Sequence, residues 1–105
     1  MPKMHRTICL LAVALAAPVI LAPTVASADV FGQCAHQRDL EKKIAACTTA
    51  AKSTVYPKVL HWVYRDLARA HHARGDMEIA VTYYKRSLDA DDREAVRLEM
   101  NAVLD

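Results

Sequence analysis

Residues 62–89 have the sequence WVYRDLARAHHARGDMEIAVTYYKRSLD, and their apolar positions recur every three or four residues on both sides of Gly75-Asp76. This period predicts two amphipathic helices rather than strands. Gly75 is suited to end the first helix, and Asp76 is suited to cap the second. Because so short a connection turns the chain back on itself, the sequence predicts an antiparallel helical hairpin.

The flanking segments extend the same pattern. Asp39 can cap a helix that runs to about residue 52, and Pro57 suits the start of the helix at about 57–74. The helix after Gly75 covers about 77–89. Asp91 followed by Glu94 fits a capping box for a last helix at about 92–104, and residues 29–38 form a short helical or irregular lead. The buried stripes are expected at Leu40, Ile44, Cys47 and Ala51; at Val59, Leu60, Val63, Tyr64, Leu67, Ala68 and His71; at Ile79, Ala80, Tyr83, Tyr84, Ser87 and Leu88; and at Ala95, Val96, Met100, Val103 and Leu104. The predicted fold class is all-α, built from antiparallel helical hairpins.

Residues 1–28 have the pattern of an export signal. A positively charged start is followed by an apolar run over residues 8–22 and by small residues that end at Ala28. This order is typical of a secretory signal peptide with cleavage after Ala28. A transmembrane anchor is the alternative, but a spanning helix needs about 20 apolar residues and this run is shorter. We expect a periplasmic or secreted domain of residues 29–105 that has no stable membrane insertion after cleavage.

The charge of the expected mature chain is balanced. Lys3 and Arg6 supply the formal net charge of +2, and the remaining 12 Lys and Arg match 12 Asp and Glu. Proteins that bind nucleic acid normally carry a basic excess. We therefore expect that the chain does not bind nucleic acid. Residues 29–105 are also too few for more than one small domain.

Cys34 and Cys47 are the two cysteines that remain after cleavage at Ala28. Two cysteines in a small exported domain predict one disulfide. On one straight helix they would lie about 20 Å apart, whereas a disulfide joins Cα atoms about 4.4–6.8 Å apart. The bond therefore requires the chain to double back between them. Two free buried thiols are the alternative.

Residues 61–94 resemble one tetratricopeptide repeat, a 34-residue helical hairpin. The resemblance rests on Leu67-Ala68, His71, Gly75-Asp76, Ala80, Tyr84 and Ser87-Leu88. The sequence departs from the family pattern at Tyr64, His71, Ser87 and Asp92, where Trp, Tyr, Ala and Pro are usual. Residues 39–50 resemble the second helix of a damaged repeat, as in small exported bacterial tetratricopeptide-like proteins. The resemblance implies stacked hairpins with a C-terminal helix that caps them.

Trp62, Arg65, Arg69 and His72 follow one another at spacings of three, four and three on one side of the same helix. In tetratricopeptide arrays, which this segment resembles, that helix face lines the concave groove that binds peptides. Trp and Arg are favoured interface anchors, and Arg can hold a carboxylate. Asp66 is the nearest acid and offers pairing with Arg69. We expect a protein or peptide partner with an acidic segment or chain terminus; the alternatives are a solvated face and a Trp62 that folds onto the helix at 39–52.

The expected mature chain carries no motif for catalysis, metal binding or a cofactor. His61 and His72 lie about 16 Å apart along one helix and cannot share a metal. His-Glu-x-x-His, a Gly-x-Ser-x-Gly elbow and a glycine-rich phosphate loop are all missing. We expect His71 in the core with one polar bond, and the other histidines in solvent. A structural or assembly subunit of an envelope complex is the first alternative function, and a small metal-binding or enzymatic protein is the second.

Overall fold

The structure, a computed structural model, describes residues 29–105. These residues form helices and connecting segments, with no strand among them. The five helices are α1 (Val30–His36), α2 (Leu40–Lys52), α3 (Pro57–Arg74), α4 (Met77–Ala90) and α5 (Glu94–Leu104). The all-α prediction is therefore confirmed. Of the described helices, none combines the length and the apolar character needed to cross a bilayer. The predicted signal peptide and its cleavage site lie outside the described residues.

The predicted ends of α2 and α3 are confirmed. The side chain of Asp39 accepts a hydrogen bond from the backbone N–H of Lys42 and so caps α2. Pro57 begins α3, where the missing N–H costs no helical hydrogen bond. Gly75 ends α3 with φ at 94°, in the left-handed region that glycine adopts without a Cβ clash. Its N–H donates to the carbonyl of His72.

One predicted cap is right in position only, and a second does not form. Asp76 occupies the N-cap position of α4, as predicted, but its side chain makes no cap hydrogen bond. Its carboxylate instead accepts from Arg74 Nε at 2.8 Å, which draws it back towards α3. The capping box of Asp91 and Glu94 does not form, because Glu94 is the first residue of α5 and Arg93 precedes it. Asp91 ends α4 and accepts from Arg93 at 3.0 Å.

The core consists of two clusters of buried side chains, and both include residues of α3. The first joins α1, α2 and α3 through Cys34, Ala46, Cys47, Ala50, Val63 and Leu67. The second joins α3, α4 and α5 through Ala68, Ala80, Tyr84 and Val96. Ala68, Ala80 and Ser87 have no exposed surface, and their small size lets α3 and α4 approach closely. Helix α3 is therefore the centre of the domain.

Cys34 and Cys47 form the predicted disulfide, with their Cα atoms 4.5 Å apart. Both residues are fully buried between α1 and α2. The chain doubles back between them through residues 37–39, as the bond requires. The alternative of two free thiols is wrong.

The burial of several predicted core or surface residues differs from expectation. Ile79 and Leu104 are 44% and 62% exposed, and Ala95 is also exposed, because none of the described helices packs over these positions. His61, expected in solvent, is 3% exposed. Its Nδ1 lies 3.0 Å from Ser87 Oγ, and that hydroxyl lies 2.8 Å from the His61 carbonyl. The small Ser87 side chain leaves room for the imidazole against α4.

Candidate interaction site

The four predicted binding residues line two adjoining clefts along α3. The larger, called the α3 cleft below, has a volume of about 550 Å³ and is lined by Ala35, Lys43, Trp62, Arg65, Asp66 and Arg69. Its neighbour has a volume of about 350 Å³ and is lined by Arg69, His72, Ala73, Tyr84, Glu99 and Ala102. Arg69 belongs to both, so the structure brings the four residues together on one continuous side of α3.

Trp62 closes the α3 cleft on the side of α1. Its indole packs edge-on against Phe31, and the ring centroids are 6.3 Å apart. The residue is half-buried, so part of the indole remains open to the cleft. The predicted alternative placed Trp62 against the helix at 39–52. The aromatic partner of Trp62 lies on α1, which packs against α3 as well as against α2, and Trp62 also packs against the first core cluster, to which α2 contributes residues.

Asp66 is a buried carboxylate that faces three cations in the α3 cleft. It lies 3.2 Å from Arg65 Nη2, 3.7 Å from Lys43 Nζ and 3.9 Å from Arg69 Nη1. The predicted Asp66–Arg69 contact is therefore the longest of the three, and Arg65 is the arginine that donates a hydrogen bond to Asp66. Lys43 also donates to the backbone carbonyl of Cys34, which holds its ammonium group beside the cleft.

Arg69 is already paired, and its main partner is Glu99 rather than Asp66, the acid predicted for it. Its Nε and Nη2 donate to the two carboxylate oxygens of Glu99 at 2.7 and 2.5 Å, which ties α3 to α5. Tyr84 Oη donates to the same carboxylate at 3.2 Å. The hydrogen bonds from Arg69 lower the pKa of Glu99 below its usual range. Burial raises the pKa of Tyr84 to about 12, and the nearby Glu99 charge acts in the same direction.

The α3 cleft and its neighbour carry one more positive than negative charge. Lys43, Arg65 and Arg69 supply the cations, and Asp66 and Glu99 supply the anions. Arg65 donates from Nε and Nη2 to Asp66 Oδ1, at 3.4 and 3.2 Å, and among the described residues its Nη1 makes no hydrogen bond. An anion entering the α3 cleft therefore meets Arg65 with donors still available.

Two residues of this site, Lys43 and Glu99, were not predicted from the sequence, whereas Asp66 was predicted as a neighbour of Arg69. Lys43 lies on α2, and no periodic signal marks it as a neighbour of Asp66 on α3. Glu99 lies 30 residues from Arg69, and only the packing of α5 beside α3 brings them together. The one available signal was the surplus of arginine on α3, which implies carboxylates on a neighbouring helix.

The remaining polar clusters have structural roles. The His61–Ser87 pair is buried and has no access for a substrate. His71 is buried, as predicted, and its ring stacks on Tyr83 with centroids 5.6 Å apart. Its Nδ1 has two polar neighbours rather than the predicted one, Asp76 Oδ2 at 3.3 Å and Arg74 Nη2 at 3.5 Å. Within residues 29–105, no group of three or more His, Cys, Asp or Glu side chains is placed to hold a metal ion.

Comparison of the chain with protein-family models, with characterised proteins and with solved structures returned no match.

Proposed function

We propose that this protein is an exported binding module that holds an acidic segment or chain terminus of another protein in the α3 cleft. The observation that carries the proposal is the surplus of cations in that cleft, with Arg65 held only by the adjacent Asp66. A carboxylate entering the cleft can accept the remaining guanidinium donors of Arg65 in a bidentate arrangement. The exposed part of Trp62 supplies an apolar surface beside that charge, and Trp and Arg are the residues that most often dominate interface energies.

The tetratricopeptide-like arrangement is part of the same proposal. Helices α3 and α4 cover most of the segment 61–94 that resembles the repeat, and the burial of Ala68, Ala80 and Ser87, the small residues of that resemblance, supports the proposal. In that arrangement α1, α3 and α5 line one side of the stack. The contributions of Ala35, Trp62 and Ala102 to the two clefts are consistent with it.

The proposed location is an oxidising compartment, either the periplasm of a bacterium or the medium outside the cell. The buried Cys34–Cys47 disulfide supports it, since structural disulfides persist in exported proteins and are rare in the reducing cytosol. The signal peptide proposed for residues 1–28 would deliver the chain there.

Binding is tested with a fluorescein-labelled Glu-rich peptide, and a Lys-rich peptide of the same length serves as the probe control. Trp62 is the only tryptophan in the sequence, so its fluorescence reports occupancy of the α3 cleft independently of the label. We expect the Glu-rich peptide to raise the anisotropy and change the tryptophan emission. The Lys-rich peptide is expected to do neither.

The decisive variant is Arg65→Glu, which reverses the available charge in the α3 cleft. We expect it to weaken binding of the Glu-rich peptide by about tenfold or more, which corresponds to about 1.4 kcal/mol. Arg93→Glu is the matched control, because Arg93 is exposed and pairs with Asp91 away from both clefts. Circular dichroism must show the same helicity in both variants. If a folded Arg65→Glu variant binds as tightly as the wild type, the α3 cleft is not the binding site.

A further inference from the structure

Helices α4 and α5 leave a second, apolar groove open on the described part of the chain. The α4–α5 groove has a volume of about 370 Å³ and is lined by Met77, Glu78, Val81, Thr82, Lys85, Val103 and Leu104. Met77 is 46% exposed and Leu104 is 62% exposed. None of these residues lines the α3 cleft or its neighbour. The groove is therefore a separate surface.

Exposed apolar side chains at this position are unusual for a stack of helices. The outer faces of such stacks normally carry polar residues, because an apolar outer face recruits another chain. Here the apolar residues Met77, Val81, Val103 and Leu104 line the groove where α4 and α5 meet. The two charged residues that line it, Glu78 and Lys85, lie on α4 on either side of Val81. That pattern of an apolar centre with charged margins is typical of an interface.

The charges on α4 are complementary to those of a second α4 that runs antiparallel to it. Residues 77, 78, 81, 82 and 85 fall on one side of the helix. A two-fold axis between Val81 and Thr82 places Glu78 of one copy opposite Lys85 of the other, and the reverse pair forms by symmetry. The same axis brings the two Val81 side chains to the centre. We propose that the α4–α5 groove binds a second copy of this chain in a symmetric antiparallel dimer.

The size of the surface sets the strength of the expected dimer. Helix α4 has 14 residues and is about 21 Å long at ~1.5 Å per residue. With a neighbouring helix about 10 Å away, the face covers roughly 400 Å², whereas a stable interface buries about 800 Å² per partner. The dimer is therefore weak, and association becomes visible as the protein concentration rises into the micromolar range and above.

The test is sedimentation velocity across a range of protein concentrations. The protein is exported by a bacterial host that expresses the full chain, and its N-terminus is identified by intact mass. The wild type is expected to shift from monomer towards dimer as concentration rises. Lys85→Glu places two like-charge pairs in each dimer and is expected to weaken association about tenfold or more; Glu78→Lys is expected to do the same. Lys58→Glu, the same charge change at an exposed position on α3, is the control and leaves association unchanged.

The double variant Glu78→Lys with Lys85→Glu separates pairing between copies from a general effect of charge. These residues are seven apart on α4 and do not pair with each other within one chain. If they pair across the dimer, the double reversal restores association to near the wild-type value. A wild type that stays monomeric at every concentration overturns the proposal and leaves the groove to a different protein. A double variant no better than the single ones also overturns it.

Discussion

Glu99→Gln is the most informative single substitution in this domain, because it removes one charge from the contact that ties α5 to α3. Glu99 accepts two hydrogen bonds from Arg69 and one from Tyr84. A hydrogen bond to a charged group contributes about 1.5–3 kcal/mol, whereas an exposed ion pair contributes about 0.2–1 kcal/mol. Since the Arg69 side chain is 48% exposed and Glu99 29%, we expect the free energy of unfolding to fall by about 1.5 kcal/mol.

The pH dependence identifies the cause of that loss. The folded-state pKa of Glu99 is lowered by Arg69, so the ionised carboxylate stabilises the folded protein above the unfolded-state pKa of about 4.3. That contribution disappears as the pH falls through the lower folded-state pKa. The stability difference between wild type and Glu99→Gln should therefore be full at neutral pH and should close in acid.

Equilibrium urea unfolding, followed by circular dichroism at several pH values, measures the difference. Glu94→Gln is the matched control, because Glu94 pairs with Arg97 on the same helix and both side chains are exposed. We expect that change to cost no more than about 0.5 kcal/mol. If the two variants lose equal stability, or if the Glu99→Gln loss persists unchanged in acid, the Arg69–Glu99 contact does not hold α5 in place.

Two further predictions concern the disulfide and the glycines. Replacing both disulfide cysteines, Cys34→Ala with Cys47→Ala, should lower the free energy of unfolding by about 3 kcal/mol. Urea unfolding of the variant, compared with the oxidised and the reduced wild type, measures this loss. A variant as stable as the oxidised wild type would contradict the prediction. Gly75→Ala should lower the free energy of unfolding by about 1 kcal/mol, because residue 75 has φ at 94°. No atom lies within 4 Å of the added Cβ, so the loss would arise from backbone strain alone. Gly32→Ala, inside α1, should instead be neutral or gain up to about 1 kcal/mol, since alanine favours helix more than glycine; equal losses at the two sites would show that the left-handed backbone is not the cause.

Helix positions and the disulfide could be predicted because their signals are local. The period of apolar residues gives the extent of α3, and Pro57 and Gly75 mark its ends. Cys34 and Cys47 needed only the assumption of an exported domain and the reach of a disulfide. Caps were harder to predict. Asp76 and Asp91 have suitable side chains, but nearby arginines bind their carboxylates instead.

The pairing of charges in the site depends on contacts between helices, and local patterns in the sequence do not reveal these contacts. Nothing near Arg69 indicates that Glu99, 30 residues away, would accept its hydrogen bonds. Asp66 is buried, and α2 brings Lys43 to within 3.7 Å of its carboxylate. The period of α3 placed Trp62, Arg65, Arg69 and His72 on one side of the helix. It could not tell which of the arginines was already paired.

That difference between the arginines determines how binding experiments on this protein must be designed. A carboxylate that took the donors of Arg69 would have to displace Glu99, and α5 would lose its contact with α3. A carboxylate that reached Arg65 competes only with the neighbouring Asp66, at 3.2 Å. Substituting both arginines together would confuse loss of binding with loss of structure. Arg65 is therefore the residue to change when binding is measured, and Arg69 is the residue to change when the attachment of α5 is measured.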